Sequence, residues 1–202
     1  MVNPSVTRGY GLLERFLAKK RAVKANNLIP QSYRSGRILD IGSGAYPFFL
    51  LTTRFSQKYG IDNTVQASSR TGSKNHSMEL IHHDIESEDP LPFNDEYFDV
   101  VTMLAVFEHI MPQRLPKVFQ EVYRVLKREG LLVITTPAAW TGFILKGMAK
   151  IRLVSTVEIE EHKGLHKAAS IVDTLQQCGF TSDRIQPGYF ELHMNTWATA
   201  MK

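Results

Sequence analysis

Three short stretches of this chain put glycines and carboxylates where a nucleoside could be held. Gly42-Ser43-Gly44 follows directly on the apolar run RILDI, Arg37 to Ile41, where a strand ends and a helix should begin. Glycines at such a turn let the backbone approach a ligand closely and tolerate dihedrals that other residues resist. Asp62 stands 20 positions after Gly42, at the end of the next strand in YGID. That is the place for a carboxylate accepting two ribose hydroxyls. Asp84, in HHDI, ends a third strand and could accept from an adenine amino group, with Ile85 against the ring. Any one of these acids alone reads as a turn residue or helix cap, a common use of Asp. Three strand ends in a row, each with the fitting residue, reverse that reading, because open α/β sheets bind ligands at the carboxyl ends of their strands.

Those strand ends must be aligned by the elements around them. Residues from about Gly9 to Lys24 pattern as a basic amphipathic helix, with Leu13, Phe16 and Leu17 on one side. Lys58 to Ile61, Met78 to His83 and Phe98 to Met103 (FDVVTM) have the composition of strands. Leu115, Val118, Phe119, Val122, Tyr123, Val125 and Leu126 recur at helical spacing, with Lys127 and Arg128 in the expected last turn and Gly130 as its stop. Leu131 to Thr135 is another buried strand. A second amphipathic helix carries Ala168, Ile171, Val172 and Leu175 and ends at Gly179. Asp183 to Phe190 and Met194 to Met201 lie close enough to pair as a hairpin. The alternation predicts an α/β fold: a mostly parallel seven-stranded sheet, helices on both faces and a C-terminal antiparallel strand.

No repeat or low-complexity linker divides the 202 residues, so a single domain over 1–202 is expected, with 1–35 as an N-terminal helical extension. Charged and apolar fractions of 22% and 43% are those of an ordinary globular protein. The single cysteine, Cys178, excludes an intrachain disulfide and a thiolate metal site. An N-terminus without an apolar h-region, and a chain without a run of 18 apolar residues, point to the cytoplasm. The formal charge of +4 is too mild to argue for nucleic acid, and no such partner is predicted.

The motifs in succession, RILDIGSG, GID, HHDIESEDPLPF, FDVVTMLAVFEHI and VFQEVYRVLKREGLLVITTP, resemble those of the class I S-adenosylmethionine (SAM)-dependent methyltransferases. The small-molecule branch that includes the quinone-biosynthesis enzymes is the most similar. The resemblance runs from Arg37 to Pro137 and more weakly to the end of the chain. It implies a Rossmann-like fold and SAM as cofactor. Asp40, Gly42, Ser43 and Gly44 would surround the methionine end, Asp62 the ribose, and Asp84 and Ile85 the adenine. Leu104 would flank the cofactor where the acceptor enters. One departure is Tyr46, where the family usually has a third glycine; it either narrows the methionine end or packs outward.

A glycine-rich turn followed by an acid also suggests an NAD(P)-dependent Rossmann oxidoreductase. Its third glycine would fall on Pro47, and of the Tyr-x-x-x-Lys pair Tyr123 and Lys127 the tyrosine belongs to the apolar stripe of its helix, so a core tyrosine is the better reading. A nucleoside-binding module without catalysis is the third class, since fold does not fix function.

SAM brings an activated methyl, so the enzyme mainly aligns the acceptor and excludes water. A base is needed only where the acceptor must first lose a proton. Glu108 and His109, in VFEHI, are the catalytic candidates beside the reacting methyl; the plain alternative is first-turn helix chemistry. His162 and His166, in EEHKGLH, suit the surface better. Some relatives bind Mg²⁺ through a Glu-x-x-Glu-His motif; Ala105 replaces its first acid, and no metal is predicted. Leu104-Ala105-Val106-Phe107 stands where amino-methyltransferases of bases carry Asn-Pro-Pro-Tyr, which favours an oxygen or carbon of a small acceptor. Residues 138–165 are expected to form a lid, with Trp140, Ile144, Met148 and Ile151 on one helical face. A peripheral membrane helix is the less favoured reading of that stretch.

Overall fold

The strands gather around central apolar runs, such as RILDI and LLVIT, that bury side chains on both faces. In chain order they are β1 (Arg37–Ile41), β2 (Gln57–Asp62), β3 (Ser69–Ser73), β4 (His76–His82), β5 (Phe98–Leu104), β6 (Leu126–Pro137), β7 (Ile185–Phe190) and β8 (Asn195–Met201). The computed structural model describes residues 12–66, 69–73, 76–137 and 168–202. The sheet order is β3-β4-β2-β1-β5-β6-β8-β7. β4, β2, β1, β5 and β6 run parallel. β8 is antiparallel to both β6 and β7, and β3 is antiparallel to β4. This is the Rossmann-like, mostly parallel sheet that was expected, with β3 as an eighth strand at its edge. Its sequence, SRTGS, has no apolar alternation, so only pairing with β4 marks it as a strand.

Alternate residues of the central strands serve the two faces. Leu39, Ile41, Val101, Met103, Leu132 and Ile134 pack under α3 (Leu115–Val125) and α4 (Ala168–Gln177). Ile38, Val100, Leu131 and Val133 pack under α1 (Leu12–Leu28) and α2 (Phe48–Thr52). α1 runs four residues beyond the expected Lys24, and it turns a different face inward. Phe16 is 51% exposed, while Ala22, Ala25 and Ile29 touch the sheet, small side chains letting the helix lie close.

α3 buries Leu115, Val118, Phe119, Val122 and Val125, as its spacing required. It stops at Val125, five residues before Gly130, so Lys127 and Arg128 lie outside its last turn. A helix leaves its last carbonyls without partners, and here the neighbouring chain takes them. The N–H groups of Glu96 and Tyr97 donate to Arg124 and Val125, and the Lys202 amine donates to Tyr123 and Leu126. Lys127 reaches Asp99 at 2.7 Å instead. β7 likewise begins at Ile185, two residues late, because Ser182–Arg184 close a 3₁₀ turn.

Asn195 pairs with Pro137, so the β7–β8 turn lies at the carboxyl end of β6. Three consecutive residues of that turn, Glu191, Leu192 and His193, have φ of 54°, 54° and 66°. Each non-glycine residue in that conformation costs about 1–2 kcal/mol. Among the described residues, no helix is long and apolar enough to cross a membrane.

Candidate functional site

β1 delivers the glycine turn to the carboxyl edge of the sheet, and the turn folds over onto β2. The N–H groups of Gly42 and Ser43 both donate to the Ile61 carbonyl, at 2.8 and 3.2 Å. Gly42 and Gly44 have φ of +74° and +70°, which favours glycine. A Cβ at Gly42 would lie 2.2 Å from Val106, whereas one at Gly44 would meet only the Tyr46 backbone, at 3.9 Å. One side of the turn is therefore packed and the other open. No helix starts at the turn itself: Pro47 precedes α2, a helix of five residues, and Tyr46 is exposed at 37%.

Asp62 closes the turn from the β2 side. Its Oδ2 accepts the Gly44 N–H at 3.0 Å, and its Oδ1 accepts the Thr64 N–H at 2.8 Å and the Thr64 hydroxyl. The acid is 9% exposed, so it is fixed by three donors beside the open side of the glycines.

Asp40 lies beneath them, 4% exposed, with the Thr102 hydroxyl donating to Oδ1 at 2.6 Å. Burial pushes its carboxyl up to about 7; the Thr102 hydrogen bond opposes that rise and the nearby Asp62 charge adds to it. An unfolded Asp ionises near pH 4. Asp40 thus stabilises the fold fully below that pH, and the contribution is lost as pH rises from 4 to 7. At about 1.4 kcal/mol per unit, the loss amounts to a few kcal/mol. Asp40→Asn is expected to flatten this slope in urea unfolding between pH 4 and 8. Parallel stability curves for the two proteins would mean that Asp40 ionises normally.

The remaining positions divide. Leu104 is the last residue of β5 and is half-buried against the α1 face. Ala105, with φ of 59°, turns the chain into a 3₁₀ turn, Phe107–His109, in place of a longer helix. Glu108 in that turn is no surface cap. It is 2% exposed and its Oε2 accepts the Thr136 hydroxyl at 2.9 Å. His109 is half-buried, and its backbone N–H donates to Val106. Asp84 lies two residues beyond the end of β4, where it is exposed and its Oδ1 accepts the Glu86 N–H at 2.9 Å. That is the turn role an isolated Asp suggested. Ile85 packs against the α3-side core. His162, His166 and the expected lid, 138–165, lie outside the described residues. Among the described residues, no group of three or more His, Cys, Asp or Glu could hold a metal.

The geometry brings Asp40, Gly42, Gly44 and Asp62 together at the ends of β1 and β2, with Val106 against Gly42. Thr64, Thr102 and Thr136, which hold the acids, were missed by motif reasoning. Two of them had a signal: Thr102 and Thr136 are hydroxyl residues that follow an apolar run within a buried strand, FDVVTML and LLVITTP. The oxidoreductase pair is not assembled. The Tyr123 ring stands edge-on to Phe180 at 5.1 Å, with the Lys202 amine 4.7 Å above it.

The domain model described as "Methyltransferase domain" matches residues 39–134. An uncharacterized protein, MJ0638, of Methanocaldococcus jannaschii is 28% identical over 138 residues, covering 67% of this chain and 51% of that protein. The uncharacterized methyltransferase YcgJ of Bacillus subtilis is 33% identical over 103 residues, 48% of this chain and 39% of that one. The chain thus spans about half, or less, of the length of these curated relatives. A solved S-adenosylmethionine-dependent methyltransferase from Mesorhizobium loti superposes with a TM-score of 0.65 at 16% identity, covering 92% of this chain and all of that one.

Proposed function

We propose that this chain, whose residues 39–134 match the methyltransferase domain, transfers a methyl group from S-adenosylmethionine to an oxygen or carbon of a small acceptor with a hydrophobic part. The observation that carries this reading is the bond between the Gly44 N–H and Asp62, which joins a glycine turn and a carboxylate at adjacent strand ends. The space beside Gly44 is open, so the residues present fit a cofactor laid across the turn.

SAM, when bound, supplies the sulfonium methyl. Gly42, Ser43 and Gly44 admit its methionine end, with Asp40 below them, and Asp62 faces the ribose while Asp84 and Ile85 face the adenine. Leu104 flanks the cofactor where the acceptor enters. Glu108, held by Thr136, takes the proton from an acceptor hydroxyl where one must leave, and His109 stands beside it. Leu104-Ala105-Val106-Phe107 offers the acceptor no amide or proline platform of the kind used for exocyclic amines, which supports oxygen or carbon. The reading treats 1–202 as one domain and 138–165 as the cover of the acceptor site.

Calorimetry with SAM, S-adenosylhomocysteine and NAD tests the cofactor. Both adenosyl ligands are expected to bind saturably and NAD to give no heat. Asp62→Ala should weaken SAM binding by about 1–3 kcal/mol, because charged acceptor contacts are lost. Saturable NAD binding without SAM binding would overturn the proposal. Labelled SAM in a lysate identifies the acceptor, and a labelled amine product would refute the oxygen or carbon assignment.

A further inference from the structure

The β7–β8 turn and the outer face of α1 place an unusual surface at the carboxyl end of the sheet. Leu192 is 89% exposed at the tip of the turn, held there by three successive left-handed residues. Such residues normally occur singly and persist where the surroundings or a function demand them. Nothing in the packing of Leu192 explains the conformation, since the side chain is almost wholly in water. Tyr189, on the same hairpin, is 51% exposed, and Phe16 and Val23 on α1 are 51% and 48% exposed.

The two groups are joined. The Lys20 amine lies 3.1 Å from Glu191 in the turn and 5.2 Å above the Phe16 ring. Phe16, Lys20 and Val23 follow one another at helical spacing on the face opposite Ala22 and Ala25, with Lys19 exposed beside them. From residue 16 to 29 the chain carries four cations, Lys19, Lys20, Arg21 and Lys24, and no acid. Glu191 opposes that charge from the turn, its side chain 15% exposed against 45% for Lys20.

We infer that this face, Phe16, Lys19, Lys20, Val23, Tyr189 and Leu192, docks on an anionic lipid surface. Apolar side chains projecting beside lysines are what an acidic membrane interface accepts: the apolar groups enter the acyl boundary and the cations stay with the headgroups. An acidic protein groove would supply the charge, but it gives no reason to hold an isolated leucine out on a strained tip. A second copy of this chain would set lysines against lysines. Because the turn shares the carboxyl end of the sheet with Gly42 and Gly44, docking would turn the proposed acceptor entrance toward the bilayer. The surface itself stands on observations independent of the methyl-transfer reading.

The test is co-sedimentation of the full chain, without SAM, with phosphatidylcholine vesicles and with vesicles that also contain phosphatidylglycerol. Binding is expected to the anionic vesicles, roughly tenfold or more above the neutral ones, and to disappear at high salt. Leu192→Asp, and separately Lys19→Ser with Lys20→Ser, should each reduce it by roughly tenfold. Both changes fall at exposed positions, so circular dichroism and SAM affinity should match the parent. Absence of binding to anionic vesicles would overturn the inference. So would unchanged binding by Leu192→Asp, which would place the contact elsewhere in the chain. Light scattering that shows a dimer abolished by Leu192→Asp, without vesicle binding, would assign the surface to a second copy.

Discussion

Gly42→Ala is expected to lower stability by about 2–5 kcal/mol and to remove measurable SAM binding. Two effects add. An alanine held at φ +74° costs about 1–2 kcal/mol. Its Cβ would lie 2.2 Å from a Val106 methyl, an overlap of the kind that costs about 1–3 kcal/mol in a packed site. For a chain of this length the thermal midpoint should fall by roughly 2–4 °C per kcal/mol. The turn cannot move away without breaking the two bonds from Gly42 and Ser43 to Ile61, and those bonds set where Gly44 meets Asp62. Calorimetry and a thermal melt check both halves. Adding Val106→Ala should recover the overlap part of the loss but not the dihedral part. A Gly42→Ala protein that melts and titrates like the parent would show that this turn does not position the cofactor.

Phe98→Ala is expected to cost about 3–5 kcal/mol while leaving SAM affinity nearly unchanged in protein that remains folded. Phe98 is fully buried at the start of β5, with ring centroids 5.4 Å from Tyr59, 4.8 Å from Phe93 and 5.1 Å from Tyr97, all close to perpendicular. Edge-to-face contacts add to the area such a ring buries. Three neighbours anchored in β2 and in the approach to β5 cannot collapse into the space left behind, so most of the cavity cost should remain. The cluster lies at the amino end of β5, away from the glycine turn, which is why binding should survive. Urea unfolding measures the loss, and Phe98→Leu should recover more than half of it. A loss below about 1 kcal/mol for Phe98→Ala would mean that the four rings do not act as a unit.

The alternation of elements and the ends of β1 and β2 were legible because each depends on local chemistry. RILDI must be buried on both faces, and Gly42 and Gly44 occupy dihedrals that disfavour any other residue. What the chain concealed depends on distant partners. The end of α3 is set by Glu96, Tyr97 and Lys202, which lie far from Val125 in sequence, and no helix-stop signal at Gly130 could compete with them. The inner face of α1 is made of alanines, which a search for large apolar residues passes over in favour of Phe16. Glu108 was picked out as a candidate, but its burial and its bond to Thr136 required β6 to lie beside the turn after β5. Asp84 illustrates the converse, since its bond to the Glu86 N–H is local and matches the turn role that its residue type suggests.

β8 follows β7 in the chain yet lies inside it in the sheet, between β6 and β7. On the ribosome, β7 therefore emerges with no strand to join, and β6 keeps an unpaired edge bearing Leu131, Leu132, Val133 and Ile134 until Asn195 to Met201 has been made. Such an edge is a template for pairing with other chains. The nascent protein can assemble β4, β2, β1, β5 and β6 early, but the last quarter of its sheet, β8 and β7, closes only after synthesis has passed residue 201. Interrupted translation would thus yield a sticky, open-edged sheet rather than a smaller enzyme.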